Sequence, residues 1–507
     1  MLQLFIDGLV AACTPDTILI IFLGTIVGII FGSVPGLTSV MAIALFLPVT
    51  YSLSAANGIT LLCALYIGSV SGGLISAILL NMPGTPASVA TCFDGSPLAR
   101  KGEAFKALGT GTVFSFLATL VGLLILVFLA PQVARLAIKL GAQELFAISI
   151  FSLTLISGLT GKSVVKGLMS AVLGCILTTV GAAPIDSVSR YTFGISAFRA
   201  GFDTLTLLIG LYAVNEILAT ATNRRALINA KPLPFTRKGL FGISLKEFCS
   251  QIWNGLRSTL IGVGVGILPG IGGATSNILA YTVSQKSSKY PEKYGTGIID
   301  GVVASESANN GSIGGAMVPL LTLGIPGDGA TAMLLGGFMV HGIQPGPLLF
   351  TTHADLVYII FGAMFISAVV MLIVQMVGLR LFANVLKVPK YYLLPILIVL
   401  CLVGAFGLNS RSFDVWSVLF FGALGYAMVK LELPLPPLIL GFVLGENTEL
   451  YLRRGLMYTH GSFLAFFKSP VAAVFLSASI LSIVWMVWKN IKARKSIPTD
   501  KTKEERM

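Results

Sequence analysis

Charge is scarce in this chain. Only 11% of its 507 residues are Asp, Glu, Lys or Arg, against roughly 25% in a soluble domain, so there are too few charges to cover a water-facing surface of this size. That excludes a soluble enzyme, a disordered chain and a nucleic-acid binder. Acids are scarcer than bases, 21 Asp plus Glu against 34 Lys plus Arg, which gives a formal charge of +13. Basic loops facing a cytoplasm account for that balance without any acidic partner. The six cysteines, Cys13, Cys63, Cys92, Cys175, Cys249 and Cys401, include no Cys-x-x-Cys and have no nearby His at zinc spacing. They read as small apolar residues. The first sixteen residues hold Asp7 and Asp16 but no Lys or Arg, so the positive start of a cleavable signal peptide is missing and the first apolar segment is expected to persist. His341, His353 and His460 are isolated from one another, which argues against a metal site. A phosphate loop is missing as well: Gly161-Lys162-Ser163 resembles its end, but Ile156 stands where its first glycine is required. Gly262-x-Gly264-x-Gly266 lacks the dinucleotide spacing and reads as close helix packing.

What is abundant is apolar length. Hydrophobic residues make up 55% of the chain and the mean hydropathy is +0.90. Apolar runs recur from about residue 17 to 488, several of them shorter than the ~20 helical residues that cross a bilayer core. Short runs divided by Pro-Gly look like half-helices. The expected class is an all-α polytopic membrane protein of about 10–12 transmembrane helices, some broken or re-entrant.

The longest polar interval, 222 to 253, holds Arg224, Arg225, Lys231, Arg237, Lys238 and Lys246 against one acid, Glu247. It divides two halves that repeat one another. Gly32-Ser-Val-Pro35-Gly36-Leu-Thr38-Ser39 is echoed by Gly266-Ile-Leu-Pro269-Gly270-Ile-Gly-Gly-Ala-Thr275-Ser276. Gly68-Ser69 to Gly72 with Pro83-Gly84-Thr85-Pro-Ala-Ser88 matches Gly311-Ser312 to Gly315 with Pro326-Gly327-Asp328-Gly-Ala-Thr331, every position offset by 243 residues. Residues 1–16 are expected to be an extracytoplasmic N-terminus and 17–221 a first transmembrane repeat. A basic cytoplasmic linker at 222–255 leads to a second repeat at 256–446, a loop and final helix at 447–488, and a basic cytoplasmic tail at 489–507. Entered from opposite sides, the repeats would be inverted, an arrangement that places a binding site at their interface near the midplane. Arg100, Lys101 and Lys106 against a stretch near His341 to Asp355 without Lys or Arg agree with inversion, whereas Arg135 with Lys139, and Arg453 with Arg454, fall on the wrong side.

Proline removes an amide donor and glycine frees the backbone, so each Pro-Gly interrupts a helix, and broken backbone is tolerated in a membrane only inside protein or beside a watery cavity. The half-helix that follows points partly positive amides at the gap, which suits a carboxylate. The candidate substrate-binding residues are Ser33, Gly36, Thr38, Ser39, Asn81, Gly84, Thr85, Ser88, Gly270, Thr275, Ser276, Asn277, Gly327 and Thr331. Their bland reading is that small residues pack helices and satisfy the broken backbone. Glu306, Asn309 and Asn310 would share a helix face, and with Asp328 they are the candidate ligands of a coupling ion. Without a nucleotide site, transport must be driven by an ion gradient. Sodium is preferred over a proton because amide and hydroxyl oxygens coordinate a cation but do not titrate.

Gly-x-x-Pro-Gly-Leu at 32 to 37, Asn81-Met-Pro-Gly-Thr-Pro86, Glu306-Ser-Ala-Asn309-Asn310-Gly-Ser-Ile-Gly-Gly315, Leu323-Gly-Ile-Pro-Gly327 and His341-Gly-Ile-Gln-Pro-Gly-Pro347 together resemble the large membrane subunit of the tripartite tricarboxylate transporter family, over roughly residues 15 to 450. Thr38 and Gly311 depart from the usual glycine and alanine. The resemblance implies a bacterial inner-membrane, multi-pass secondary transporter for di- or tricarboxylates, coupled to sodium or protons and otherwise free of cofactors. It further implies a small four-helix membrane subunit and an extracytoplasmic solute-binding protein as partners, beside the carboxylate and membrane lipid, with no nucleic acid; a homo-oligomer is compatible with it. The alternative is a stand-alone carrier or channel for organic anions. An intramembrane enzyme would need a paired nucleophile and base, which the sequence does not offer.

Overall fold

A segment removed from water can satisfy its backbone only within itself, and a computed structural model of the protein is accordingly all-α, 81% helical. It describes every residue except 1, 160–162, 223–231, 237–238, 271, 388–389 and 496–507. Gly161 and Lys162, much of the basic linker and the end of the basic tail therefore lie outside the described residues. The helices run in order α1 (Leu2–Ala12), α2 (Pro15–Ser33), α3 (Ser39–Phe46), α4 (Ala55–Leu80), α5 (Val89–Leu98) and α6 (Ala104–Ala137). There follow α7 (Ala142–Leu159), α8 (Val164–Thr178), α9 (Thr204–Thr222, one turn of it wider than an α-helix), α10 (Leu245–Gly266), α11 (Gly272–Ser287) and α12 (Ile299–Leu323). The last are α13 (Gly329–Val340), α14 (Ala354–Val385), α15 (Lys390–Asn409), α16 (Ser412–Lys430), α17 (Leu435–Tyr458) and α18 (Pro470–Lys495).

Among the described residues six segments are long and apolar enough to cross a membrane: α2, α4, the stretch Pro86–Ala137, α9, α14 and α16. Pro86–Ala137 is not one rod, because Gly102 adopts φ 85° between α5 and α6. Shorter apolar helices such as α3 and α13 follow the Pro-Gly breaks. The six cysteines are free.

Residues 1–139 and 202–427 form one compact unit. Within it the order long helix, break, short helix, long helix, break, short helix, long helix occurs twice, as α2 to α6 and as α10 to α14. The two middle helices are the most enclosed. Every residue of α4 from Gly58 to Leu79 is buried, and so is every residue of α12 from Gly301 to Thr322, again offset by 243. Helix α4 packs on α2 and α14, and α12 packs correspondingly on α10 and α6. Because α12 is surrounded by protein it can carry Glu306 and two asparagines where a lipid-facing helix could not.

Glycine lets these helices approach at backbone contact. A Cβ on Gly28 would lie 2.6 Å from the Leu65 carbonyl oxygen and one on Gly72 would lie 2.6 Å from that of Ile29. In the second half Gly266 meets the Ser312 carbonyl at 2.6 Å, and a Cβ on Gly262 would collide with that of Ala308. The 262–266 glycines are thus helix packing, although Gly264 has no atom within 4 Å of the same construction.

The second compact unit, 140–201 with 428–507, is built from α7, α8, α17 and α18 with a hairpin pairing Gly181–Ala182 to Ser189–Arg190. Arg190 grips Glu449 with two hydrogen bonds of 2.7 and 3.1 Å, and Arg453 bridges Glu449 and Asp186 at 2.8 and 3.2 Å.

These contacts separate two glycines that look alike in sequence. Gly264→Ala should leave the melting temperature of the detergent-purified protein unchanged or raised, since alanine gains about 1 kcal/mol of helix propensity over glycine. Gly262→Ala should lower it by several degrees.

Candidate functional site

The four breaks use glycine for two different reasons. Gly36 and Gly270, each following proline, turn the chain with φ of 90° and 74°, which side chains resist. Gly84 and Gly327 are instead needed for space. A Cβ on Gly84 would strike the carbonyl oxygen of Gly32 and lie 2.9 Å from Gly73 Cα, and one on Gly327 would lie 2.7 Å from the carbonyl oxygen of Gly266. The two breaks of each half therefore touch. Contact also crosses between halves: Ala87 meets α11 at Gly273, and the point above Gly329 lies 3.1 Å from Val40 of α3.

Most of the expected hydroxyls serve this broken backbone. Ser33 donates to the Ile30 carbonyl, Thr38 Oγ1 caps α3 by accepting from Met41 N–H, and Ser276 donates to the Gly273 carbonyl. Ser88 Oγ accepts from Thr85 N–H and donates to its carbonyl. Ser33, Ser39, Gly84, Thr85, Ser88, Ser276, Asn277, Gly327 and Thr331 are buried, Gly36, Thr38 and Gly270 are half-buried, and Asn81 and Thr275 are exposed. Asn81 ends α4 in the left-handed conformation, φ 55°, and Gly324 ends α12 in the same way 243 residues later.

Glu306 lies fully buried in a closed network. Its Oε1 accepts from Thr91 Oγ1 at 2.5 Å, and its Oε2 accepts from Ser115 Oγ at 3.0 Å and Asn310 Nδ2 at 3.3 Å. Asn310 also donates to Ser115 Oγ at 2.8 Å. Asn309 does not join this group. Its Nδ2 reaches the Val70 carbonyl of α4 at 3.4 Å, because successive residues turn about 100° and α12 is enclosed on every side.

Asp328 caps α13. Its Oδ1 accepts from Thr331 N–H and Oγ1, both at 2.8 Å, while the Asp328 amide donates back to Thr331 Oγ1. Its Oδ2 accepts from Tyr66 Oη at 2.6 Å. The carboxylate attracted to this helix N-terminus is thus the chain's own. Tyr212 Oη lies 2.8 Å from the point above Gly329.

Tyr66, Thr91, Ser115 and Tyr212 were not singled out by sequence reasoning, nor was Asp94. Tyr66 alone had a signal, since it stands 243 residues before Asn309. Asp94 is fully buried and accepts from the amides of Gly295, Gly297 and Ile298 at 2.8 to 3.1 Å and from Tyr281 Oη at 2.8 Å. It anchors the turn that leads into α12.

Unpartnered acceptors complete the picture. Among the described residues Asn277 Oδ1, Asn309 Oδ1, Asn310 Oδ1 and Thr85 Oγ1 are buried without a hydrogen-bond partner, and each such group costs about 1–3 kcal/mol.

Residues 18–440, which contain both halves and all four breaks, match the tripartite tricarboxylate transporter TctA family. The chain belongs to that family. It is 33% identical over 488 residues, 96% of each chain, to an uncharacterized 52.8 kDa protein in the TAR-I ttuC' 3'region of Agrobacterium vitis. It is 32% identical over 231 residues to an uncharacterized protein in the TAR-II ttuC' 3'region of the same organism, covering 46% of this chain and 96% of that one. No solved structure matches. As a TctA-family membrane subunit of a tripartite tricarboxylate transporter, the chain is a multi-pass transporter component and not an enzyme.

In this TctA-family chain the left-handed cap at Asn81 can be separated from any part in recognition. Asn81→Gly, which copies Gly324, should keep both melting temperature and uptake, whereas Asn81→Val should lower stability by about 1–2 kcal/mol, because a β-branched residue lacks the tolerance of the left-handed conformation that Asn and Gly have.

Proposed function

We propose that the chain is the large membrane subunit of a bacterial inner-membrane transporter that takes up a carboxylated solute, of the di- or tricarboxylate class, together with a cation. It works with a small membrane subunit and an extracytoplasmic solute-binding protein. One observation carries the coupling. Glu306 is buried within α12 and Asp328 half-buried at the fourth break, and among the described residues no Lys or Arg is buried. An anionic substrate entering an acidic interior without fixed positive charge must bring compensating cations, because an unpaired buried charge is prohibitively costly. Helix N-terminal amides supply the remaining recognition of the carboxylates, and side-chain oxygens near the breaks receive the ion.

The two halves are read as inverted repeats, with the N-terminus outside and the linker and tail in the cytoplasm. The matched burial of α4 and α12 and their corresponding partners in the opposite half support this reading, as do the basic linker and the uncharged loops opposite it.

Two experiments test it. With a single cysteine placed at Lys238 in an otherwise cysteine-free protein, an impermeant maleimide should label inverted vesicles and leave intact cells unlabelled; labelling of intact cells would sink the topology. In vesicles carrying both membrane subunits and supplied with the binding protein, an inward sodium gradient should drive uptake even with a protonophore present. Uptake that ignores sodium and collapses with the proton gradient would refute sodium as the coupling ion. Uptake that needs no binding protein would favour the stand-alone carrier.

A further inference from the structure

Resting on the cation-coupled reading above, we propose that a sodium ion binds beside Ala87, held by the side-chain oxygens of Asn277 and Asn309. Both side chains are fully buried and each turns its amide nitrogen to a backbone carbonyl: Asn277 Nδ2 donates to that of Ala87 at 2.5 Å, and Asn309 Nδ2 to that of Val70 at 3.4 Å. What is left on each is an acceptor oxygen with no partner among the described residues.

Asn309 Oδ1 faces Gly273 beside Ala87, and Asn277 is held to the carbonyl of that same residue. A Cβ built on Gly273 would lie 2.9 Å from Asn309 Oδ1, 3.0 Å from the Ala87 methyl and 3.0 Å from Ser312 Oγ. Gly273 and Asn277 are four residues apart on α11 and so share a face, and Asn277 grips the same Ala87. Glycine at 273 leaves open a cradle that a methyl group would fill. Ser312 donates its hydroxyl hydrogen to the Asn309 carbonyl at 2.6 Å, which leaves its oxygen lone pairs for the cradle. Thr85 Oγ1, two residues before Ala87, is likewise unpartnered.

The polar atoms of the group are oxygens, which suit a hard cation, and with amide and hydroxyl oxygens and no carboxylate among the named ligands a single charge is favoured over calcium or magnesium. Amide oxygens do not take up a proton near neutral pH, so a proton cannot occupy the site. Glu306 lies outside it, because both of its oxygens already accept hydrogen bonds from Thr91, Ser115 and Asn310. The site is assembled from both halves: Ala87 follows the second break, α11 follows the third, and Asn309 belongs to α12. It stands close to the α11 N-terminus, where a substrate carboxylate would be attracted, so ion and anion would stabilise one another.

The test is a melting-temperature titration of the purified protein in lipid nanodiscs with NaCl, against KCl and choline chloride at constant ionic strength. Sodium alone should raise the melting temperature of the parent protein. Asn277→Ala, Asn309→Ala and Gly273→Ala should each shift the half-saturating sodium concentration at least tenfold, and Glu306→Gln should shift it less than threefold. Gly273→Ala removes no ligand side chain and instead sets a methyl group against Asn309 Oδ1, so it remains informative if an asparagine variant fails to fold. Sodium stabilisation that survives in all three variants, that vanishes with Glu306→Gln alone, or that is missing from the parent protein would overturn the site. Uptake separates this failure from that of the underlying reading: sodium-driven uptake with unshifted titrations removes only the site, whereas proton-driven uptake with intact sodium titrations removes only the coupling.

Discussion

A chain that interrupts its helices inside a membrane must satisfy the freed amides and carbonyls from its own atoms, and the unit around the four Pro-Gly breaks is organised by that demand. Thr38 and Asp328 cap the helices that follow the first and fourth breaks, and Ser88 holds the turn after the second. Gly84 and Gly327 lie against the carbonyls of Gly32 and Gly266, which close the first and third breaks from behind. The consequence for function is restrictive. Hydroxyls engaged with backbone are poor candidates for a solute, and Ser33, Thr38, Ser276 and Thr331 are engaged in this way. Among the side-chain atoms left unpartnered near the breaks are the acceptors Thr85 Oγ1, Asn277 Oδ1 and Asn309 Oδ1, which draw cations.

The duplicated frame was legible in the sequence because it rests on residues with backbone consequences. Proline followed by glycine marks each of the four breaks, and the 243-residue offset between the second and the fourth anticipates the matching buried stretches of α4 and α12. Side-chain partners were less legible. Thr91 and Ser115 meet Glu306 across 215 and 191 residues, and Asp94 collects the amides of Gly295 to Ile298 across about 200. A hydroxyl in an apolar helix carries no spacing signature that names its partner. The expectation that residues 306, 309 and 310 act together treated α12 as having one functional face. Helix α12 is enclosed on all sides, so a turn of about 100° takes Asn309 to α4 and α11 while Glu306 and Asn310 face α5 and α6.

The backbone is duplicated but the chemistry is not. At the 243-residue offset Glu306 corresponds to Cys63, Asp328 to Thr85, Asn309 to Tyr66 and Asn310 to Ile67. These two carboxylates belong to the second half and are answered by hydroxyls of the first, Glu306 by Thr91 and Ser115 and Asp328 by Tyr66, while Asp94 of the first half is answered by Tyr281 and three amides of the second. Hydrogen bonds to a charged group are stronger than neutral ones, and leaving such a group unanswered in a low-dielectric interior costs more than the bond itself contributes. The halves are thus held together most firmly at the points where charge is least tolerable. Any displacement of one half against the other has to supply Glu306 and Asp328 with new partners at the same moment. An arriving cation would ease that requirement and an arriving carboxylate alone would aggravate it, so an acidic interior of this kind favours moving the anion only in the company of positive charge.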